Sequence, residues 1–392
     1  SINFAMTARV SPAPPVDLLE RALASVPARH PLLRAPIDPA GPRFVVHPTM
    51  PVACRVEARS WTEVVEEELG SPFDWRAGPL LRARALPEPG ALRLVLSFHH
   101  AVGDARSGAI LVRDLLAECA RGADPKIPPG PVPQPQDARI PSAFRGRLRG
   151  LAYASRRLLS LARRPHRPAR DGEGAPLATR VESRALDAAA LREAARGEDT
   201  TVHGALCAAM LLAMAEDAGR PVTMGCLSPM DVRSALEPPA GDEVAFLVSG
   251  VSTFHRVRPG GGLWDLARDV RGQIEAALGR GDALVSTAST SVVLDRGREP
   301  AALVANVNRF IGAATTVTNL GLVDVPETYG PWRLEELHFG VAGNGFPGTA
   351  AGIAVTTFAG RLTLEYLYGD PWLRPERALG ILDRAIARLI TY

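Results

Sequence analysis

The chain has 392 residues, which is long for one hydrophobic core and favours two domains or lobes. Its formal net charge of +3 is too small to indicate nucleic-acid binding, so no nucleic-acid partner is expected. Nearly all of the positive charge is arginine, because Lys126 is the one lysine in the sequence.

The four cysteines, Cys54, Cys119, Cys207 and Cys226, form neither a CxxC pair nor a cluster with histidine. This spacing predicts no zinc site and no disulfide framework, and a reducing cytoplasm fits it. The N-terminal residues lack a basic segment followed by an apolar core, and no apolar run is long enough to span a bilayer. We therefore expect a cytoplasmic protein without a signal peptide, and membrane association is not favoured.

Residues 1–140 are predicted to form an N-terminal lobe in which strands and helices alternate. In chain order the expected elements are a strand at 2–10, a helix at 16–26, a strand at 43–47, an acidic helix at 61–69, a strand at 81–86, a half-buried strand at 92–98 and a helix at 107–120. The Pro-rich residues 121–140 are typical of a linker.

Residues 141–176 are interpreted as a basic crossover helix with linker. Residues 139–170 carry many arginines and no Asp or Glu, and leucines and Phe144 are interleaved with the arginines. Three interpretations remain open: a solvated helix with its arginines outward, a docking surface for an acidic protein, and a helix lying on a membrane surface.

Residues 177–392 are predicted to form a C-terminal lobe of similar composition. Its expected elements are a strand at 180–186, helices at 188–196 and 200–218, strands at 221–228 and 245–254, a helix at 263–278, a hairpin of strands 353–357 and 362–366, and a helix at 377–390. Strands and helices in both halves indicate an α/β or α+β pair of lobes.

Two adjacent histidines and an aspartate follow the alternating apolar strand that contains Leu94 and Leu96. Neighbouring strand residues point to opposite faces, so His99 and His100 must face different surroundings. A neutral imidazole near pH 7 can accept a proton from an alcohol or amine and return it to a leaving group. A purely structural pair is the alternative, but the spacing His-His-x-x-x-Asp, which Asp104 completes, arises by chance in roughly one per cent of chains this long. We therefore favour catalysis.

Four stretches, taken in order, resemble the chloramphenicol-acetyltransferase-like superfamily. They are Arg29 to Arg34, Pro72 to Leu80, His99 to Asp104, and Thr200-Thr201 with the apolar helix that follows. That superfamily includes nonribosomal peptide condensation domains, plant-type alcohol acyltransferases and polyketide-associated acyltransferases. The resemblance implies a pseudo-dimer of two α/β (α+β) lobes around a central substrate tunnel, with the active histidine midway and the two substrates entering from opposite faces.

The resemblance also implies roles for individual residues. His100 would be the general base, and His99 would be mainly structural. Asp104 would turn away from the base and pair with an arginine, for which we predict Arg233; a surface arginine is the alternative. Asn319 and Thr318 stand where the superfamily has polar tunnel residues that help to stabilise an oxyanion, although Asn319 before a glycine is also typical of a turn.

The chemistry expected from these residues is direct acyl transfer. No Gly-x-Ser-x-Gly elbow is present, so a serine acyl-enzyme is not indicated. We expect an acyltransferase that moves an acyl group from a thioester of coenzyme A or of an acyl carrier protein to an alcohol, with no permanently bound cofactor and no metal. The alternatives are an amide-forming condensation enzyme, a catalytically silent recruitment module of the same fold, and ester synthesis at a membrane.

Overall fold

The computed structural model describes residues 2–41, 43–122, 128–163, 165–172, 177–293, 310–342, 349 and 351–391. Up to the crossover helix, its elements are β1 (Asn3–Ser11), α1 (Val16–Arg29), β2 (Ile37–Asp38), β3 (Arg43–Phe44), β4 (Cys54–Val56), α2 (Trp61–Gly70), β5 (Leu81–Glu88), β6 (Ala91–His99), α3 (Ala105–Ala120) and α4 (Arg147–Ala162). The strand expected at 43–47 is therefore confined to its first two residues.

The remaining elements are β7 (Ala178–Asp187), α5 (Ala188–Gly197), α6 (Val202–Asp217), β8 (Val222–Asp231), β9 (Val248–Val257), α7 (Leu263–Gly279), α8 (Asp282–Val293), β10 (Thr315–Leu322), β11 (Thr328–Tyr329), β12 (Trp332–Val341), β13 (Ala351–Phe358), β14 (Arg361–Asp370) and α9 (Pro375–Ile390). The predicted hairpin of β13 and β14 is confirmed. The predicted strand at 245–254 begins three residues later, at Val248.

Each lobe is built on a six-stranded sheet. The first sheet has the order β11-β12-β1-β6-β5-β4, and the second has the order β7-β14-β13-β10-β8-β9. Strands β11 and β12 come from the second half of the chain and complete the sheet of the first lobe, where β12 pairs with β1. This crossing of the chain between the lobes was not predicted from the sequence.

Strand β6 is buried along both of its faces. Ser97 donates a 2.6 Å hydrogen bond to the carboxylate of Glu68 on α2, which covers one face. Leu96 lies opposite Met6 of β1 on the other face, where Met6 packs against α3 at Gly108. The expectation of a half-buried strand was therefore wrong, because helices cover the sheet on both sides.

Helix α6 is the apolar centre of the second lobe. Its residues from Gly204 to Ala215 are all buried, which is typical of a helix that is enclosed on every side. The side chain of Thr201 caps its first turn by accepting a 3.0 Å hydrogen bond from the Gly204 N–H. Of the two caps considered from the sequence, Thr201 is the one used.

Candidate active site

The two histidines lie where β6 ends and face opposite sides of the first sheet, as predicted. The edge of the Phe73 ring meets the His99 ring at a centroid distance of 6.4 Å, whereas the His100 ring lies 5.7 Å from that of Phe4. Phe246, which precedes β9 in the second lobe, meets the His100 ring edge-on at 5.1 Å. His100 therefore stands at the contact between the lobes.

A single hydrogen bond fixes the tautomer of His100. Its Nδ1 lies 2.7 Å from the carbonyl oxygen of Gly103. Because a carbonyl oxygen can only accept, Nδ1 carries the proton and the neutral ring keeps its free lone pair on Nε2. Burial lowers the pKa of His100 below its ordinary value, although the Gly103 carbonyl and the charge of Asp104 oppose that shift. The imidazole is therefore a neutral base at pH 7.

Gly103 allows the close turn on which this bond depends. A Cβ atom at this position would lie 2.8 Å from the Phe98 ring and 3.2 Å from Cβ of Ser107. Any side chain at position 103 would therefore move the carbonyl that holds the His100 ring. No role was predicted for Gly103, and only its place inside the motif pointed to one.

His99 is held by the same turn but differs in its chemistry. Its Nδ1 accepts a 3.2 Å hydrogen bond from the Ala101 N–H, and burial is the largest cause that lowers its pKa, to about 4. The Phe73 ring, which makes an edge contact with His99, is covered by the Arg82 guanidinium, whose central carbon lies 3.8 Å from the ring centre. These contacts support a mainly structural role for His99, and they explain why the stretch from Pro72 to Leu80 accompanies the histidines.

Asp104 turns away from His100 and forms a buried, two-pronged ion pair with Arg233. The two guanidinium nitrogens lie 3.0 Å from the two carboxylate oxygens, and Asp104 and Arg233 are only 1% and 3% exposed. The carboxylate also caps α3 through the Ser107 N–H and accepts a 2.9 Å hydrogen bond from the Leu247 N–H. The predicted ion pair is present, and it joins the two lobes beside the histidines.

The segment that precedes β9 supplies several of these contacts. The Ala245 carbonyl accepts hydrogen bonds from the Ser107 hydroxyl and from Arg233, and Leu247 binds Asp104. Residues 245–247 were expected to be strand; the structure uses their backbone groups to bind the first lobe instead. Phe246 lies between them, and the apolar run around it gave no sign of this role.

Asn319 has a local partner in the structure. Its side-chain oxygen accepts a 2.9 Å hydrogen bond from the Gly321 N–H, at a register shift in β10 where Gly321 has a φ of +71°. This geometry supports the turn role that the sequence left open for Asn319. The oxyanion role of Asn319 and Thr318 stays a prediction, as does the tunnel.

The first matched stretch, around His30, is structural. Nε2 of His30 lies 3.0 Å from the carboxylate of Asp114 on α3, and both side chains are buried. Hydrogen bonds to His30 and Arg113 outweigh the effect of burial and lower the pKa of Asp114 to about 2. The pair ties α1 to α3, which carries the Asp104 cap at its other end.

Across the described residues, no cluster of three or more His, Cys, Asp or Glu side chains has the arrangement of a metal site.

Two family models match the chain. The model described as "Phthiocerol/phthiodiolone dimycocerosyl transferase C-terminus" matches residues 172–367, which is half of the chain, and the condensation domain model matches residues 1–135. The second match contains the two histidines and Asp104, and the first contains Arg233.

Two curated synthetases are similar to part of the chain. AMB antimetabolite synthetase AmbE of Pseudomonas aeruginosa is 36% identical over 120 residues, which are 26% of this chain and 6% of the synthetase. Chondramide synthase cmdD of Chondromyces crocatus is 32% identical over 130 residues, which are 30% of this chain and 3% of that protein. The chain thus spans a small fraction of the length of these relatives.

Solved structures match the chain over its whole length. Polyketide synthase associated protein 5 from Mycobacterium tuberculosis has a TM-score of 0.72 at 19% identity, covering 100% of this chain and 94% of that one. TRI3 trichothecene 15-O-acetyltransferase from Fusarium sporotrichioides has a TM-score of 0.78 at 14% identity, covering 99% and 91%. At these identities the matches show the fold, a pseudo-dimer of two chloramphenicol-acetyltransferase-like lobes.

Proposed function

This chain belongs to the phthiocerol/phthiodiolone dimycocerosyl transferase C-terminus family within the chloramphenicol-acetyltransferase-like superfamily, and on that premise we propose that it moves an acyl group from a coenzyme A or acyl-carrier-protein thioester to an alcohol. The superfamily transfers acyl groups, and the chain is a transferase of that kind. The identities of the acyl donor, a thioester, and of the acceptor, an alcohol, are what we propose. The product would be an ester, in natural-product or lipid biosynthesis.

The state of His100 carries the proposal. A general base must be unprotonated at the working pH and must present a lone pair to the proton that it removes. Nδ1–H donates its hydrogen bond to the Gly103 carbonyl, so Nε2 is the basic atom, and burial lowers the pKa of the ring and favours its neutral form. His100 lies between the lobes, against Phe4 and Phe246, and the proposed tunnel would bring the two substrates together there.

In the proposed reaction, Nε2 of His100 removes the hydroxyl proton as the alcohol oxygen attacks the thioester carbonyl carbon. The carbon–oxygen bond forms, and the carbonyl oxygen becomes an oxyanion. Collapse of the tetrahedral intermediate breaks the carbon–sulfur bond, and the departing sulfur takes the proton from His100. The base alone contributes about 10²–10⁴-fold, so holding both substrates together must supply much of the remaining acceleration.

The oxyanion needs hydrogen-bond donors, and one such donor contributes about 3–4 kcal/mol of transition-state stabilisation. Thr318 and the free amide group of Asn319 remain the proposed donors. Asn319 uses its oxygen in the β10 turn, so its NH₂ group is the part available for a substrate. Asn319→Asp would keep the turn acceptor while removing that donor.

An amide-forming condensation is the second candidate, because residues 1–135 match the condensation domain model. An amine would be deprotonated by the same Nε2 atom, so His100 does not distinguish the two acceptors. The silent recruitment module is less well supported, since His99, His100 and Asp104 are all retained.

The deciding experiment offers one acyl thioester together with a panel of alcohols and amines, and analyses the products by mass spectrometry. Ester products that depend on His100, compared between wild type and His100→Ala, would support the proposal. Products formed only with amines would replace it with the condensation activity. An unchanged product yield with His100→Ala would overturn the base mechanism.

A further inference from the structure

The crossover helix α4 has its polar and apolar faces reversed relative to an ordinary surface helix. Leu148, Leu151, Leu158 and Leu159 are 84%, 63%, 61% and 71% exposed, whereas Arg157 is only 7% exposed. Leu151 and Leu158 follow Leu148 at intervals of three and then seven residues, and Leu159 lies eleven residues after Leu148. At 3.6 residues per turn these four positions fall on one side of the helix and form one stripe. A surface helix normally turns such a stripe toward the core.

The inward face of α4 is fixed by polar contacts. Nε of Arg157 donates a 2.8 Å hydrogen bond to the Phe310 carbonyl, and its guanidinium also binds the Ile311 carbonyl and lies 4.8 Å from the centre of the Phe254 ring. Arg156 forms a 2.6 Å ion pair with Asp282 of α8. Arg157 lies on the opposite side of the helix from the leucines, so these contacts hold the leucine stripe outward. The interpretation with arginines outward is therefore wrong for Arg157, whereas Arg156 pairs with Asp282 while its side chain remains 44% exposed.

The surroundings of the stripe are uniformly basic. No Asp or Glu occurs between Ala138 and Arg170, and the exposed Arg147, Arg149 and Arg163 flank the leucines. An apolar stripe with arginines along its borders is the arrangement found in helices that lie in the interface of an anionic bilayer. No helix among the described residues is long and apolar enough to cross a membrane.

We propose that α4 docks this protein on an anionic membrane surface, with the leucine stripe inserted among the lipid headgroups and the flanking arginines on lipid phosphates. Protein interfaces draw their main energy from Trp, Tyr and Arg, and leucine is under-represented at their energetic centres. The stripe contains leucine, alanine and serine and no aromatic residue, which favours lipid over an acidic protein. This proposal does not depend on the identity of the acyl donor or acceptor.

The first test is flotation of the full chain with vesicles of phosphatidylcholine alone or mixed with phosphatidylglycerol. We expect binding to the anionic vesicles, weakened by salt. Exchanging Leu148, Leu151, Leu158 and Leu159 for serine should weaken it by a factor of ten or more, since each buried leucine contributes to partitioning. Arg147→Glu, Arg149→Glu and Arg163→Glu should each weaken it by about fivefold.

Matched controls use exposed residues outside α4. Leu278→Ser and Ile390→Ser replace side chains that are 47% and 61% exposed, and Arg192→Glu reverses an exposed charge on α5. These variants should bind as the wild type does. Because the replaced leucines are exposed, the folded state should survive, which a thermal melt verifies for each variant before flotation.

The second test reads insertion directly. The four native cysteines are buried, so a Leu158→Cys variant can be labelled selectively with a polarity-sensitive dye, and Arg192→Cys serves as the control. We expect a blue shift on anionic vesicles at position 158 and none at position 192, with quenching by lipids that carry bromine about 5–10 Å below the headgroups.

Three outcomes would overturn the proposal. The first is absence of vesicle binding by the wild type, and the second is binding that is unaffected by the leucine exchanges. The third is a wild type that does not bind vesicles but uses α4 to bind an acidic acyl carrier protein or a second copy of the chain. Light scattering would show such a complex with the wild type and its loss with the serine variants. That result would assign the stripe to a protein partner.

Discussion

Two histidines lie at contacts between the lobes, and their surroundings give them opposite properties. Among the described residues, the His100 ring has one hydrogen-bond partner, the carbonyl oxygen of Gly103. His338 on β12 of the first sheet has a carboxylate at each ring nitrogen, with Nδ1 2.6 Å from Glu365 on β14 of the second sheet and Nε2 3.3 Å from Glu336. Burial acts on both rings in the same direction, so the difference comes from the partners.

The partners decide how many protons each ring holds. A carbonyl accepts one N–H and leaves the second nitrogen of a neutral ring as a base. Two charged carboxylates favour a ring that donates from both nitrogens: burial opposes the cation, but the hydrogen bonds to Glu336 and Glu365 raise the pKa of His338 to about 9. Burial also raises the pKa of Glu365, and the hydrogen bond and charge of His338 oppose that shift and favour the ion pair. His100 can therefore accept and return a proton, whereas His338 links the two sheets through its ion pairs.

The largest expected effect is on turnover. His100→Ala should lower kcat/KM by about 10²–10⁴-fold, because it removes the base. It should lower the melting temperature much less than Asp104→Asn does, because the ring loses one hydrogen bond and its contacts with Phe4 and Phe246 but leaves no buried charge unpaired. Thiol release from the acyl thioester measures the first quantity, and circular dichroism the second. His47→Ala, at an exposed histidine, is the control and should retain full turnover. Loss of stability with full turnover in His100→Ala would show that His100 is a structural residue and not the base.

The ion pair beside His100 should behave as a structural joint. Asp104→Asn leaves the buried Arg233 guanidinium without its countercharge and should lower the free energy of unfolding by about 3–5 kcal/mol, measured in urea. The fall of kcat/KM at acid pH, which reports protonation of His100, should move slightly to lower pH. The Asp104 charge raises the pKa of His100, so its removal lowers that pKa. Asp383→Asn, at an exposed carboxylate, should change neither quantity. Loss of turnover with full stability would instead place Asp104 in the chemistry.

The sequence predicted features that depend on local order and missed those that depend on distant pairing. Thr201 as a cap and the β13–β14 hairpin follow from neighbouring residues. The ion pair of Asp104 with Arg233 followed from the family resemblance. Nothing local marks β12 as a partner of β1, since its pairing joins residues more than 300 positions apart.

The same limit applies to the functional site. Phe246 reaches His100 only because the backbone before β9 binds Asp104 and Ser107, a contact between residues about 140 positions apart. The outward leucines of α4 were visible as an amphipathic pattern, but the pattern does not state which face a helix buries. The hydrogen bonds that Arg157 donates to carbonyl groups near residue 310 fix which face of α4 is buried.

A smaller effect is expected at His338, and its sign follows from the raised pKa. The folded-state pKa of about 9 exceeds the ordinary 6.5, so the stabilisation is fully present below pH 6.5 and is lost as pH rises through about 9. The free energy of unfolding should fall by on the order of 2–3 kcal/mol across that window because of this group. Urea denaturation at several pH values measures it.

Glu365→Gln isolates the contribution of His338. The variant removes one carboxylate from the ring, so the pKa of His338 should fall and the decline in stability between pH 6.5 and 9 should become shallower than in the wild type. Turnover at pH 7 should be retained in the fraction that remains folded. An identical decline in both proteins would assign it to other groups and would contradict the cationic state of His338.

The smallest expected effect is at Phe246, and it tests whether the cover from the second lobe lowers the pKa of His100. Phe246 is 40% exposed and covers the His100 ring from the second lobe, so Phe246→Ala should admit water and weaken the desolvation that lowers the pKa. The acid limb of kcat/KM should then move toward pH 6.5 by less than about one unit. Phe44→Ala, which removes a ring of similar exposure, 38%, should leave the limb in place. A limb that stays fixed in Phe246→Ala would mean that the first lobe alone desolvates His100, and the second lobe would then bind substrate without tuning the base.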